Sequence, residues 1–142
     1  MIMFNLNQET INEIAGQLEI GNNCFINKET KEIKFTPDFD ANPYYDEETW
    51  KEELQFLEMV DEDDDWIKIE SMTSHHSFRM MEEFIDTVDN MHLKSGLIKA
   101  LEGKNPFRNF KISIDDSGAY REQWFRFKEE GLRRWVEEQL ED

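Results

Sequence analysis

Between Gly118 and Leu140 apolar side chains fall on two adjoining helical stripes, and this pattern constrains the fold more than any other feature of the sequence. Tyr120, Trp124, Phe127, Gly131 and Trp135 share one face, while Phe125, Leu132 and Val136 line the next. A helix lying on one neighbour needs a single apolar stripe. Two stripes imply contact with more than one neighbour.

From Ser74 onward the segments before it also read as helices. Ser74 is placed to cap a helix whose stripe is Phe78, Met81, Ile85 and Val88. Leu93, Leu97, Ile98 and Leu101 make another, and Gly103 is expected to end it in the left-handed conformation. Asn105 followed by Pro106 is a helix-start signal, an asparagine cap before proline at the first helical position. In the stretch GKNPFRNFK, Phe107, Phe110 and Ile114 then share one side of a short helix, with Arg108 and Lys111 on a different side. A base-stacking platform of the ribonucleoprotein type needs its rings on a β-strand, where alternate residues share a face. Helical spacing therefore predicts that both rings are buried.

The first half reads differently. Asn7 caps a helix carrying Ile11, Ile14, Ala15 and Leu18, with Leu6 and Ile11 at the spacing of a hydrophobic staple, and Gly21 marks its end. CFINKETKEIKF predicts a β-hairpin with Cys24, Ile26, Ile33 and Phe35 on one face. TPDFDANPYYDEE is a loop, after which Asp46 is expected to cap a helix containing Trp50, Leu54 and Leu57. WIKIE alternates as a third strand that pairs with the hairpin. The expected fold is α+β: a small three-stranded antiparallel sheet with an N-terminal helix, joined to a mainly helical C-terminal half. A chain of 142 residues suits a single domain over 1–142, with the helix, hairpin, acidic helix and third strand in 1–70 and the helical half in 71–142.

Charge narrows the function. The formal net charge is −17. From Asp38 to Asp65 there are thirteen acidic residues against Lys51 alone, whereas Lys94 to Arg134 carries ten basic residues and six acidic ones. The two regions either neutralise each other within the fold or present separate fields to a partner. Phosphate backbones are bound by basic surfaces, so direct nucleic-acid binding is not expected. An acidic surface imitating a nucleic acid is a weaker reading of the same segment.

Several chemistries lack their residues. Single Cys24 excludes an internal disulfide and reads as a buried, inert thiol. Aligned as a calcium loop from Asp61, the acidic run puts Trp66 where the turn glycine belongs and Met72 where the bidentate acid belongs. His75 and His76 are adjacent and so diverge on a helix, leaving His92 as the third histidine. Triad, nucleophile-elbow, Walker and dinucleotide patterns are absent from the sequence. No metal, cofactor or catalytic residue is assigned. The first residues lack a basic region and a long apolar run, and no segment approaches the ~20 apolar residues of a membrane helix, so a cytoplasmic protein without membrane contact is expected.

FRMMEEFI at 78–85, GKNPFRNFK and YREQWFRF at 120–127 together resemble an uncharacterised bacterial family of small acidic proteins. Its members are similar in having an FRxFK box followed by RxxWFxF before a C-terminal helix. This chain has Pro106 where the family more usually has a small residue. The resemblance covers the last half of the chain, implies no activity, and falls on Phe107, Arg108, Phe110, Lys111, Arg121, Trp124, Phe125 and Phe127.

The leading expectation is a non-enzymatic intracellular protein-binding or regulatory module, as a monomer or a homodimer. The alternative is a small-anion binder or an enzyme using Arg108, Lys111 and Arg121, with Arg126 nearby in sequence, around a pocket lined by Trp124. The structural reading of the same cations is that they neutralise carboxylates such as Asp115 and Asp116.

Overall fold

A computed structural model describes residues 6–141. The chain forms the expected α+β arrangement and divides into two compact units, Met1–Ser71 with Arg133–Asp142, and Met72–Leu132.

In the first unit, helix α1 (Gln8–Glu19) starts where Asn7 accepts a hydrogen bond from the Thr10 N–H at 2.8 Å. It buries the expected stripe of Ile11, Ile14, Ala15 and Leu18. Gly21 follows at φ 95°, a left-handed position that a side chain would strain. Strands β1 (Asn23–Asn27), β2 (Ile33–Thr36) and β3 (Trp66–Ile69) form an antiparallel sheet in the order β2-β1-β3. Cys24 lies opposite Phe35 and Ile69, and Ile26 opposite Ile33 and Ile67, so the expected hairpin face forms and β3 extends it. The hairpin turns where the buried Asn27 accepts from the Glu29 and Thr30 N–H groups at 2.8 and 3.0 Å. A buried side-chain oxygen is thereby satisfied.

The opposite sheet face carries Phe25. Its ring meets Phe56 edge-on at 5.3 Å, and Phe56 meets Trp66 at 4.9 Å. Phe56 and Val60 belong to helix α2 (Lys51–Val60) and are its buried residues. The expected Leu54 and Leu57 are only partly buried, because Phe56 and Val60 are the residues that reach Phe25. Asp46 does not cap α2. Its carboxylate accepts from the Glu48 N–H and the Thr49 hydroxyl in the turn before, and Trp50 occupies the cap position without a side-chain bond.

Helix α6 (Ala119–Gln139) contributes its last residues to this unit. There Gln139 acts like a short strand edge: its amide donates to the Glu70 carbonyl at 2.9 Å and accepts from the Glu70 N–H at 2.7 Å. Trp135 Nε1 also donates to the Glu70 carbonyl, at 2.8 Å. Backbone left unpaired beyond β3 is thus satisfied by side chains far away in sequence.

The second unit contains α3 (Ser74–Asp86), α4 (Met91–Glu102), α5 (Pro106–Asp115) and the first part of α6. Thr73, not Ser74, caps α3 by accepting from the His76 N–H at 3.1 Å. The core stripe of α3 also differs from the expected one. Met80, Phe84 and Ile85 are buried, with Val88 buried just beyond the helix end, while Phe78 and Met81 pack at the core's edge. Leu97 and Leu101 bury α4, and Ile98 stays 40% exposed. Gly103 is extended (φ −90°, ψ −169°), and the left-handed residue is Asn105 at φ 53°. Glycine in the middle of α6 also has a reason: a Cβ on Gly131 would stand 2.5 Å from the Met80 sulfur.

Two outcomes are expected. Burial pushes the Cys24 thiol up from 9.0 to about 12, with Glu13 adding to the effect. Cys24 should therefore resist a disulfide reagent at pH 8 in the native protein and react at once in denaturant; fast native labelling would contradict its burial. By linkage, the part of the stability that rests on the neutral thiol is complete below the ordinary value and is lost as pH rises towards the elevated one. In urea titrations Thr73→Ala should cost about 1 kcal/mol and Ser74→Ala almost nothing, and the reverse order would contradict the cap assignment.

Candidate functional site

The family-like segments meet in the second unit, and their side chains divide between core and surface. Pro106 opens α5 at its first turn, as expected. Asn105, however, makes no side-chain cap; its carbonyl accepts from the Asn109 N–H at 3.0 Å, while the Asn109 side chain donates to the Lys104 carbonyl at 2.7 Å. Starting from this turn, α5 buries Phe110 and Ile114, each 1% exposed. Phe107 is 39% exposed, so only one of the two rings expected inside is buried. The helix presents Phe107 at its first turn, where Phe78 meets it edge-on with the ring centres 6.4 Å apart.

Trp124 is part of the core. Its indole stands between Phe84 at 5.3 Å and Phe110 at 4.9 Å, with Phe127 stacked at 6.4 Å. Its ring is buried, so it presents no wall to solvent. Arg121 makes a 3.2 Å ion pair with Asp115, and its guanidinium lies 4.6 Å from the Phe125 ring centre. Arg126 pairs with Glu122 at 2.7 Å one turn away. Arg108 and Lys111 are exposed on α5, with no ion pair among the described residues. The start of α6 is fixed by the Tyr120 hydroxyl, which donates to Asp89. That hydrogen bond, with some loss of solvation, holds the phenol above its usual range.

A concave surface appears where the sequence drew no attention. Between α3 and α4 lies a pocket of about 200 Å³ whose floor is Phe78, Ile85, Ile98 and Leu101. Glu82, Asp86 and Glu102 form its rim. Phe107 continues the apolar surface outward through its contact with Phe78. The lining offers carboxylates and hydrocarbon, with no thiol, hydroxyl, imidazole or amine to act as a nucleophile. Among the described residues no three histidine, cysteine or acidic side chains converge as metal ligands. What the arrangement can do is hold an apolar group next to a positive one. In the sequence Phe78 falls in the expected core stripe of α3, and nothing there signals this pocket.

Fold and surface together define a two-unit α+β protein with an acid-rimmed apolar pocket in its helical unit. Residues 42–142 match the sequence model of the Uncharacterised protein family (UPF0158), and the chain belongs to that family. It is also similar to the UPF0158 protein PA5073 of Pseudomonas aeruginosa, with 31% identity over 74 residues, 52% of this chain and 48% of the relative. The chain thus spans about half the length of that relative. No solved structure matches it. No helix among the described residues is long and apolar enough to cross a membrane.

The division between core and surface rings is directly testable. Phe110→Ala should destabilise the protein by about 3–5 kcal/mol, as for other buried phenylalanines. Phe107→Ala should cost less than about 1.5 kcal/mol, the scale of one edge-to-face contact at the surface. Equal losses in denaturant unfolding would contradict the assignment.

Proposed function

We propose that the protein is a non-enzymatic, cytoplasmic protein-binding module that docks its partner through the α3–α4 pocket and the neighbouring Phe107 ring. The observation that carries this reading is the pocket itself: an apolar lining that includes the 40%-exposed Ile98, beside a ring that is 39% exposed. Exposed apolar surface framed by polar groups is characteristic of interaction sites, and a buried apolar anchor supplies most of the affinity at such interfaces. The three rim carboxylates select against acidic partners and favour an anchor flanked by positive charge.

A second reading, a small-anion site, is supported by Arg108 and Lys111, which are exposed and make no ion pair among the described residues. Arg121, its third member, is engaged by Asp115 and Phe125.

One comparison separates the two. Immobilised wild-type protein is used to capture partners from native lysate at low and moderate salt, beside Ile98→Asp and Phe107→Ser. Both variants alter exposed side chains and should keep the wild-type circular dichroism. The binding reading expects a partner whose recovery falls roughly ten-fold in either variant, the effect of losing one apolar anchor. Absence of any partner, or equal recovery by all three proteins, overturns it. Saturable binding of inorganic phosphate at Arg108 and Lys111 without a captured partner would favour the anion site.

A further inference from the structure

The first unit contains a second concavity, unrelated to the pocket above. It measures about 550 Å³ and lies against α2 and the loop before it. Its floor is apolar: Phe39, Tyr45, Leu54 and Leu57. Its walls are Asp40, Glu47, Glu58 and Asp61. No lysine, arginine or histidine lines it, and none of the four wall carboxylates makes an ion pair among the described residues.

The rings are grouped. Phe39 lies 4.5 Å from Tyr45 and 6.1 Å from Trp50, centre to centre. Tyr45 is 38% exposed. Both ends of the loop are closed by carboxylates that accept from backbone: Asp38 from the Asp40 and Ala41 N–H groups, and Asp46 from the Glu48 N–H. The rings are therefore carried by a turn-stabilised segment.

We infer that this groove is a binding site for an arginine-rich segment of a partner protein. Aromatic faces attract cations, and a planar guanidinium both stacks on a ring and forks to a carboxylate. Its aliphatic stem matches Leu54 and Leu57, which a hydrated metal ion would not need. The volume exceeds that of one side chain and so accommodates a peptide segment. The surrounding stretch Asp38–Asp65, with thirteen acidic residues and one lysine, supplies the long-range attraction. Charge complementarity and aromatic geometry thus point to the same occupant.

The test uses the whole chain, isotopically labelled, titrated with a short synthetic peptide of alternating arginine and glycine. The same peptide with citrulline in place of arginine, spermine and calcium chloride are the comparison probes. The expected result is saturable chemical-shift change centred on Phe39, Tyr45, Leu54 and Glu58, absent with citrulline. Tyr45→Ala combined with Glu58→Gln should weaken the arginine peptide roughly ten-fold, through loss of one cation–π and one ionic contact. Ile98→Asp should leave it unchanged, which separates failure here from failure of the α3–α4 docking surface. Three results overturn the inference: shifts spread without saturation over the acidic segment, indifference to the double variant, or equal effects of spermine or calcium at the same residues.

Discussion

The Trp124 indole meets Phe84 at 5.3 Å and Phe110 at 4.9 Å, and through these edge-on contacts one side chain of α6 joins α3 and α5. Each ring is nearly or fully buried, with exposures of 6%, 2% and 1%. Edge-to-face pairs add about 0.5–1.5 kcal/mol each beyond the burial of their area. This contact set decides the character of the second unit. It commits Phe110 and Trp124 of the two C-terminal family-like segments to the core, and it orients α3 so that Phe84 faces inward. Phe78 then lies at the margin, where it lines the pocket with Ile98. The candidate docking surface is a consequence of how the core is closed.

Acidic residues follow a related logic in both units. The second unit has three of them around an apolar floor, and the first has four around an aromatic one. Elsewhere some cations pair locally with surface carboxylates, as in Arg121 with Asp115 and Arg126 with Glu122. The walls of the two concavities have no such partners in their linings. Exposed pairs of this sort contribute little to stability, so the fold loses little where these carboxylates make no ion pair among the described residues. A concentrated field of one sign remains for association.

Much of this fold was legible because its signals are local. Asn7 and the stripe Ile11, Ile14, Ala15 and Leu18 define α1 with short-range chemistry, and alternation alone places Cys24, Ile26, Ile33 and Phe35 together. Ambiguity begins where a helix carries more apolar residues than one face can hold. Phe78, Met80, Met81, Phe84 and Ile85 support two overlapping stripes on α3, and the choice between them depends on Trp124 and Phe127. Phe107 shares the helical side of Phe110, but it lies at the first turn of α5 and is left 39% exposed. Asn105 took the left-handed conformation expected of Gly103, since asparagine also tolerates that region and the chain turns one residue before Pro106. Of the proposed site residues, Arg108 and Lys111 are exposed, Arg121 is paired and Trp124 is interior. Spacing alone does not reveal which face a neighbour will cover. The clamp of Gln139 on Glu70 is similarly invisible, because nothing local marks a glutamine as the partner of a strand end.

The central claim is that the motif rings are sorted, with Phe110 and Trp124 inside and Phe107 outside on the edge of a pocket. Paramagnetic broadening of aromatic ring protons by a neutral gadolinium chelate measures that sorting most directly in the intact protein. The Phe107 ring should broaden strongly together with the Ile98 methyl groups, while Phe110 and Trp124 stay sharp. Comparable broadening of Phe107 and Phe110 would show that the two rings share the solvent face, and the core and docking surface described above would both be wrong.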